Sequence, residues 1–387
     1  MASHFPLSKA TTAELQRLTR ALWSWSICTE CSSGKPCHTE ECPWQRSTIL
    51  NQFFQFYKEV TATYEADVKP GQQPGLRTHE DLIMIIEELK SNPETTREAL
   101  LEKLFTSRPA RNDQERAINI AVRVMMMVNC SMSRQSSILL EYGNQDVPWR
   151  NDVPFSEFIT SIFPKTDHPS IDHIKANLKA TKLKKRARLS FEPTNDLRNH
   201  LRLDRKRAVV EIFHHTAFLK EQLRLTRDQP RSMSIADSIK LGALPRPLAL
   251  ETLATLQTIL FPLTDAKSKA LLLSLTSTTT QNFDTDVLRY DSSTIRDPLH
   301  PEPILYHYFA SHLADLYEEQ TNPTPRGMEK WFERRSAPRY VMMATITGVF
   351  LAIFFSMASL ALGGYQAWVG YQQWQHPVQS TGQTRAG

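Results

Sequence analysis

The sequence predicts a mainly α-helical protein, with one or more helical cytoplasmic domains followed by a single C-terminal transmembrane helix. Three observations support this prediction. Residues 340–364 form an apolar run that contains no Asp, Glu, Lys or Arg. Only 12 glycines occur in 387 residues, which leaves little room for the tight turns that join short strands. Apolar residues elsewhere recur mostly at helical spacing, and two-residue strand alternation is weak.

The run from Tyr340 to Gly364 is long enough to cross a bilayer, because a hydrocarbon core of about 30 Å needs roughly 20 helical residues. A single segment in lipid satisfies its own backbone polar groups only as a helix. A buried core helix of a soluble protein is the alternative, but such a helix seldom lacks charged residues over so long a stretch. The run therefore predicts a membrane anchor.

The flanks of this run predict its orientation. Several basic residues precede it, whereas only Arg385 follows it. The positive-inside rule then places the long N-terminal part in the cytoplasm and the short tail across an intracellular membrane. Residues 1–22 have no apolar signal core, so we expect a tail-anchored arrangement. The side chains expected to lie at the two membrane interfaces are Trp331, Arg334, Arg335, Arg339, Trp368 and Trp374.

Small residues recur at every fourth position within the run, at Ala344, Gly348, Ala352 and Ser356. Small side chains at this spacing allow two membrane helices to approach closely. We therefore expect self-association or pairing with another membrane helix. The alternative is that Gly and Ala are simply frequent in membrane helices.

Turn signals and composition divide the chain into six segments, because Pro/Gly-rich stretches separate the helical regions. The segments are 1–68 (N-terminal helices with a Cys-rich loop), 76–170 (a helical region), 171–321 (a basic stretch and a second helical region), 322–339 (a linker and basic flank), 340–364 (the transmembrane helix) and 365–387 (a short aromatic, then polar, tail).

Helical periodicity and capping signals predict the individual helices. Thr11 or Thr12 caps the first one. Asn92-Pro93 opens another, with proline in its first turn. Asp113 caps a long helix that contains Met125–Met127. We expect these methionines to fill the core, and the less favoured alternative is that they line a binding groove. The other predicted helices cover residues 47–65, 79–90, 209–223, 248–263, 266–275 and 304–319.

Four of the five cysteines fall within 15 residues, at Cys28, Cys31, Cys37 and Cys42, and His38 follows the third. Four thiolates, or three thiolates and His38, would bind one structural Zn²⁺ tetrahedrally, and the first pair has the spacing of a zinc knuckle. The second pair is more widely spaced than Cys-x-x-Cys. Free thiols are the alternative, and a disulfide is disfavoured because the cytosol is reducing.

Residues 175–207, called the basic segment below, are the most strongly charged part of the chain. They contain twelve Lys/Arg and three Asp/Glu, a net charge of +9 (12 − 3). Such a segment favours anionic lipid or an acidic protein partner, and nuclear import or nucleic-acid binding are the alternatives. No interleaved aromatic residues support base stacking. The side chains assigned to binding are Lys182, Lys184, Lys185, Arg186, Arg188, Arg205, Lys206 and Arg207.

His214 and His215 are adjacent within the predicted helix 209–223. Neighbouring helical residues point about 100° apart, so we expect these side chains to pack in the core rather than share a ligand. No P-loop, Gly-x-Gly-x-x-Gly, Gly-x-Ser-x-Gly or His-Glu-x-x-His motif occurs. The lack of these catalytic signatures favours a non-enzymatic protein.

Three C-terminal motifs, Trp331–Ser336, Tyr340–Thr345 and Gln366–Pro377, resemble the C-terminal block of a family of uncharacterised proteins from filamentous fungi. The stretch Phe213–Lys220 is similar to the same family. The resemblance implies a membrane protein without an assigned activity, and it therefore adds no catalytic residue.

These features together predict a membrane-anchored, non-enzymatic helical interaction or scaffold protein. The alternative is a membrane-held nucleic-acid-binding regulator, which would use the basic segment and a Cys-rich zinc loop. A structural zinc ion at the Cys-rich loop is the one cofactor that the sequence suggests.

Overall fold

The computed structural model describes residues 7, 9–37, 41–66, 73–106, 109–131, 147–230, 232–277, 283–290, 303–325 and 338–375. The chain forms two compact units, Met1–Pro323 and Thr324–Gly387. Both units are mainly helical in their described residues, which confirms the predicted fold class at that level.

The first unit contains fourteen α-helices in its described residues. They are α1 (Thr12–Trp23), α2 (Thr29–Ser32), α3 (Asn51–Ala62), α4 (His79–Ser91), α5 (Arg97–Leu104), α6 (Arg111–Met126), α7 (Phe155–Ile162), α8 (Ile171–Asn177), α9 (Ala180–Arg186), α10 (Thr216–Leu225), α11 (Ile235–Leu241), α12 (Arg246–Ala254), α13 (Ala266–Ser277) and α14 (Ala310–Thr321). A π-helical turn at Thr255–Leu260 continues α12. The described 3₁₀ turns lie at Pro43–Leu50, Leu197–Asn199 and Thr285–Leu288.

Side-chain caps fix where two of the N-terminal helices begin. Thr11 caps α1, and its side chain and that of Glu14 form a reciprocal capping box. Thr78 and Asp81 form the same arrangement at the start of α4. Each box satisfies backbone N–H groups that have no partner within the helix. The predicted cap at Thr11 is confirmed.

A small sheet interrupts the helices. Its strands are β3 (Ser190–Thr194), β4 (Leu203–Asp204) and β5 (Val209–Phe213), and a separate parallel pair consists of β1 (Cys130–Ser131) and β2 (Val147–Pro148). Strand β5 lies in the centre, parallel to β3 and antiparallel to β4. In the register, Val210 pairs with Phe191 of β3 and with Leu203 of β4.

The predicted single helix over residues 209–223 is wrong. The chain forms β5 over Val209–Phe213, and α10 begins only at Thr216. Val209, Val210 and Ile212 are β-branched, which favours a strand. A short apolar run that is buried on both sides has no periodicity that separates a strand from a helix. The pairing with β3 and β4 therefore decides its conformation.

Three predicted helix starts are also wrong. Helix α5 begins at Arg97 rather than at Pro93, because the Pro93 carbonyl accepts the N–H of Ser156 from α7. Helix α6 begins at Arg111 and ends at Met126, so Asp113 is not its cap. Residues 304–309 are not helical, and the backbone N–H groups of residues 307–309 bond to the Glu251 side chain, outside the segment.

The three predicted segments 1–68, 76–170 and 171–321 contribute to one continuous apolar core. Met125, Met126 and Met127 are completely buried in it, which agrees with their prediction as core filler. The ring of Phe218 from α10 lies 5.7 Å from Trp23 and 5.1 Å from Phe53. Aromatic contacts of this kind attach the N-terminal helices to the later part of the chain.

Lys90 is a buried cation that joins the ends of two helices. Its Nζ donates to the carbonyl oxygens of Ala21 at 2.7 Å and Leu22 at 2.9 Å, near the end of α1. It also donates to Leu241 O at 3.3 Å, at the end of α11. Terminal helix carbonyls lack partners within the helix and carry partial negative charge, so a cation is favoured there.

Asp113 performs a different task from the predicted cap. Its carboxylate is completely buried and accepts the Tyr64 hydroxyl at 3.0 Å and the N–H of Gly75. A Cβ at Gly75 would lie 3.1 Å from the Asp113 carbonyl oxygen, so glycine permits this close approach. The carboxylate thereby holds the chain after α3 and the chain before α4 against α6.

We expect Asp113→Ala to lower the free energy of unfolding by at least about 2 kcal/mol, because the buried Tyr64 hydroxyl and Gly75 N–H lose a charged acceptor. Urea titration of the full-length protein in detergent, followed by circular dichroism, measures the change. The control is Asp152→Ala, since the Asp152 side chain is 65% exposed and its loss should change stability by less than about 0.5 kcal/mol. Equal effects of the two variants would contradict the assigned role of Asp113.

Candidate functional site

The four cysteines of the predicted zinc loop lie together. Cys28 Sγ lies 3.9 Å from Cys37 Sγ, and Cys31 Sγ lies 4.0 Å from Cys42 Sγ. All four sulfur atoms lie within 4.8 Å of one another, which is close enough to bind one metal ion. We call these four residues the cysteine cluster. His38, the other predicted ligand, lies outside the described residues.

Short local elements bring the four sulfur atoms together. Cys28 caps α2, and its Sγ accepts the backbone N–H of Cys31 at 3.5 Å. Gly34 then turns the chain with a φ of 76°, a left-handed value that favours glycine. Cys37 follows this turn, and Cys42 immediately precedes the 3₁₀ turn that starts at Pro43. The turn at Gly34, between Cys31 and Cys37 in the sequence, therefore supplies the bend that the cluster needs.

The loop that carries the cysteine cluster is attached to two helices. Gln16 of α1 donates its side-chain amide to the Cys31 carbonyl at 2.8 Å. Arg46, just after the cluster, binds the buried carboxylate of Glu221 on α10 through two contacts of 2.8 and 2.9 Å. Cys31 and Cys42 are buried, whereas the other two cysteines are partly exposed. The cluster thus lies at the surface of the core.

Two thiols of the cluster differ in acidity. Burial raises the pKa of Cys31, and hydrogen bonding to Cys28 and Cys37 raises it further. Burial alone would also raise the pKa of Cys42, but backbone hydrogen bonds from Cys28 and Trp44 lower it to about 7. Because thiolates are the metal-binding form, a metal ion would have to displace protons from the cluster, which couples its binding to pH.

The C-terminal end of the basic segment is largely engaged in ion pairs. Arg207 binds Glu192 at 2.8 Å, and Lys206 is exposed. Arg205 lies 3.1 Å from the carboxylate of Glu318 on α14. It lies 3.7 Å from each of two further carboxylates of α14, those of Asp315 and Glu319. These acids come from more than 100 residues away, so the sequence count of +9 overstates the positive charge of this surface.

The N-terminal end of the basic segment presents more open charge. Helix α9 buries Leu183 and exposes Lys184, Lys185 and Arg186. Lys182 is half-buried, and its Nζ donates to the carbonyl oxygen of Asn177 at 2.7 Å. Arg188, the last predicted binding residue in this group, is exposed. The assigned binding role of the basic segment stays a prediction.

The second unit contains α15, a 38-residue helix over Pro338–Gln375. Its part from Thr345 to Gln375 is long and apolar enough to cross a membrane. The side chains of this part are exposed, and Leu360 for example is 81% exposed. So much exposed apolar surface is unfavourable in water. The structure thus confirms the predicted apolar helix.

The predicted packing and interface residues are only partly described. Gly348, Ala352 and Ser356 follow one another at four-residue intervals in α15, and such positions share a helix face. The interface residues Trp368 and Trp374 are exposed near the end of α15. Trp331, Arg334 and Arg335 lie outside the described residues. Arg339 and Ala344 lie in α15, but their side chains are not described.

A polar group made of two buried histidines and an exposed asparagine lies where β3 and β5 end. Asn195 follows β3, and His214 and His215 follow β5. Because the two strands are parallel, their carboxyl ends meet at the same edge. Asn195 Oδ1 lies 3.1 Å from His214 Nε2 and 2.8 Å from His215 Nε2. The two histidines are buried in the core, as expected, but they follow strand β5 instead of lying within one helix.

The same region contains a buried ion pair. Lys220 Nζ lies 2.7 Å from Asp286 Oδ2, and the Thr216 hydroxyl donates to the same oxygen at 2.8 Å. The N–H of Asp284 donates to His214 Nδ1 at 3.0 Å. Burial lowers the pKa of His214 to about 3, so its imidazole is neutral. Its two ring nitrogens are both engaged, which assigns it a structural role.

No local sequence signal identifies this polar group. Asn195 and His214 are 19 residues apart, and Lys220 and Asp286 are 66 residues apart. Only the pairing of β3 with β5 and the packing of the 3₁₀ turn Thr285–Leu288 on α10 bring these side chains together. Buried polar and charged groups need such partners, because removal from water without them is costly.

We expect His215→Gln to reduce the pH dependence of stability. Burial lowers the pKa of His215 far below 6.5, so below pH 6.5 only the unfolded chain binds a proton there, and stability falls as the pH falls. Between pH 6.5 and 5.0 the variant should lose about 1.5 kcal/mol less than the wild type. Gln retains an N–H donor for Asn195 Oδ1.

Urea titrations of the full-length protein in detergent at pH 5.0, 6.0 and 6.5 measure this difference. His173→Gln is the matched control, because His173 is exposed and its replacement should leave the wild-type pH dependence unchanged. If the free energy of unfolding of His215→Gln changes with pH as steeply as that of the wild type, His215 takes up a proton equally in the folded and unfolded chains.

Comparison with protein-family models, with curated proteins and with solved structures gives no match to this chain. The resemblance of the C-terminal motifs to proteins of filamentous fungi therefore stays a prediction.

Proposed function

We propose that this protein is a single-pass membrane protein whose helical domain lies in the cytoplasm and acts as a non-enzymatic interaction or scaffold protein. The observation that carries the proposal is α15, whose part from Thr345 to Gln375 is long, apolar and exposed. A bilayer is the solvent that removes such a surface from water and tolerates a helix with no other partner.

The distribution of charge supports the proposed orientation. No Lys or Arg lies between Arg339 and Arg385, whereas Lys330, Arg334 and Arg335 precede the helix closely. Basic residues near a membrane helix favour the cytoplasmic side. In this orientation the unit Met1–Pro323 lies on the cytoplasmic side of an intracellular membrane, and the short tail lies on the other side.

The exposed cations of α9 support a role in binding. Lys184, Lys185 and Arg186 are solvent-accessible on one short helix, and each basic residue near an anionic membrane contributes about 1 kcal/mol of attraction. We propose anionic lipid or an acidic protein as their partner. The ion pairs of Arg205 and Arg207 leave less open charge for a nucleic acid, so we favour the scaffold over the membrane-held regulator.

We further propose that the cysteine cluster holds one structural Zn²⁺. A tetrahedral site with metal–sulfur bonds of about 2.3 Å has sulfur–sulfur separations of about 3.8 Å. The separations of 3.9 Å and 4.0 Å in two pairs of the cluster are close to that value. Bound zinc would close the loop between α1 and the 3₁₀ turn at Pro43, and so stabilise the attachment of this loop to α10.

The four-residue ridge of Gly348, Ala352 and Ser356 supports pairing of α15 with another membrane helix. A second copy of the same helix would be the simplest partner, since a symmetric pair uses the same ridge twice. The pairing would bring two cytoplasmic units to one place on the membrane.

The anchor is tested by Leu351→Arg combined with Phe354→Arg in the full-length protein. Each Arg near the centre of a membrane helix costs about 3 kcal/mol, so we expect the double variant to be released by alkaline extraction while the wild type stays in the membrane pellet. Leu351→Ala combined with Phe354→Ala is the matched control, because it changes the same positions without charge and should stay in the pellet.

Wild-type protein that is fully released by alkaline extraction would contradict the anchor. Imaging of the N-terminally tagged variants distinguishes the alternatives further. Diffuse cytosolic signal of the Arg double variant supports the scaffold. Nuclear accumulation that is lost when Lys184, Lys185 and Arg186 become Ala would support the regulator instead.

The zinc site is tested by elemental analysis of the purified full-length protein. We expect about one zinc per chain in the wild type and in Cys130→Ala, which removes the cysteine outside the cluster. Cys31→Ala should lose the metal, because a site with three of four ligands binds zinc more weakly. Removal of zinc by a chelator should lower the unfolding temperature of the wild type.

Zinc-free wild-type protein that unfolds at the same temperature with and without added zinc would contradict the proposal. If both Cys31→Ala and Cys130→Ala retain one zinc per chain, the metal lies elsewhere, and the cysteine cluster is a group of free thiols.

A further inference from the structure

A cavity of about 800 Å³ opens beside the segment that precedes α14. Its apolar walls include Pro247 and Leu250 of α12, together with Ile304 and Leu305 of the segment that precedes α14. Leu305 is 63% exposed. Pockets for small ligands usually measure 300–1,000 Å³ and combine apolar walls with a few polar groups. This cavity has the size and the lining of a binding site.

One wall of the cavity is held in place by a buried carboxylate. Glu251 of α12 is completely buried, and it accepts the backbone N–H groups of His307 at 3.0 Å, Tyr308 at 3.0 Å and Phe309 at 2.7 Å. The hydroxyl groups of Thr258 and Tyr306 lie 3.4 Å apart. The bonds to Glu251 fix the backbone of residues 307–309 in place, and they preorganise the wall, which lowers the cost of binding.

Polar groups beside the cavity are joined through His307. The N–H of Thr166 donates to His307 O at 2.8 Å, and the neighbouring Asp167 carboxylate binds His307 Nδ1. Lys165 lies next to them, with its Nζ 5.8 Å from the centre of the Tyr308 ring. Within the described part of the chain, Asp167 is paired with His307, and no carboxylate forms an ion pair with Lys165.

We propose that this cavity binds an amphiphile that has an apolar body and a single anionic head, either carboxylate or phosphate. Lys165 Nζ binds the head, because it is the one ammonium among the described residues that line the cavity and it forms no ion pair with a carboxylate there. The carboxylate of the lining, Asp167, is paired with His307. The apolar body lies against Leu250 and Leu305, and covering exposed leucine with apolar surface is favourable. The inference does not depend on the membrane anchor or on zinc.

The inference is tested with full-length protein in phosphatidylcholine nanodiscs and a palmitate that carries a photoreactive diazirine on its chain. Mass spectrometry of the digested protein locates the label. We expect labelling in the peptides that contain residues 303–308 or 247–250. Unlabelled palmitate should compete, whereas hexadecanol, which has the same chain without the charge, should compete at least about tenfold more weakly, as expected for the loss of one charge-assisted bond.

Two variants and one control variant test the assigned contacts. Lys165→Met keeps an apolar chain of similar length and should weaken palmitate competition about tenfold, with hexadecanol competition unchanged. Leu305→Asp places a negative charge at an exposed position of the wall and should abolish labelling. Lys267→Met, at an exposed lysine of α13, is the control. The unfolding temperature of each variant verifies that it folds.

The source of the head group is distinguished by two competitors. A free fatty acid is identified when palmitate competes and phosphatidate placed in the nanodisc does not. A membrane lipid is identified when phosphatidate competes as well. Labelling that maps outside the cavity, or that is equal in the wild type, Lys165→Met and Leu305→Asp, would overturn the proposal. Equal competition by palmitate and hexadecanol would overturn the anionic head.

Discussion

A charged side chain can be buried only when other groups replace its contacts with water, and this constraint connects distant parts of the helical unit. Asp113 binds the segments that follow α3 and precede α4. Lys90 binds the ends of α1 and α11. Glu251 fixes the segment before α14, and Lys220 binds Asp286. Each of these groups thereby determines how neighbouring helices are connected, which apolar contacts alone would leave less specific.

The proposed sites all depend on this framework. The cysteine cluster is attached to α1 through Gln16 and to α10 through Arg46, so the position of the loop follows from the packing of those helices. The cavity wall is oriented by Glu251 from within the core. Because both sites lie on connected elements of the core, they can be preorganised, and preorganisation favours binding of a metal ion or of a small amphiphile.

The two units meet different solvents in the proposed function. The first unit buries its apolar side chains in its own core, whereas the apolar side chains of α15 are exposed. A chain built in this way separates attachment from recognition, since the anchor requires only length and hydrophobicity. Recognition is then left to the surface of the first unit, where exposed cations, the cysteine cluster and the cavity are found.

The sequence alone predicted the helical class, the apolar C-terminal helix, the cap at Thr11, the burial of Met125–Met127 and the grouping of the cysteines. Each of these depends on composition, on a local period or on residues close together in the chain. The strand Val209–Phe213, the pairing of His214 and His215 with Asn195, and the neutralisation of Arg205 by α14 required the tertiary structure. Their partners lie far away in the sequence, so no local pattern identifies them, and a short apolar run has no period that separates a strand from a helix.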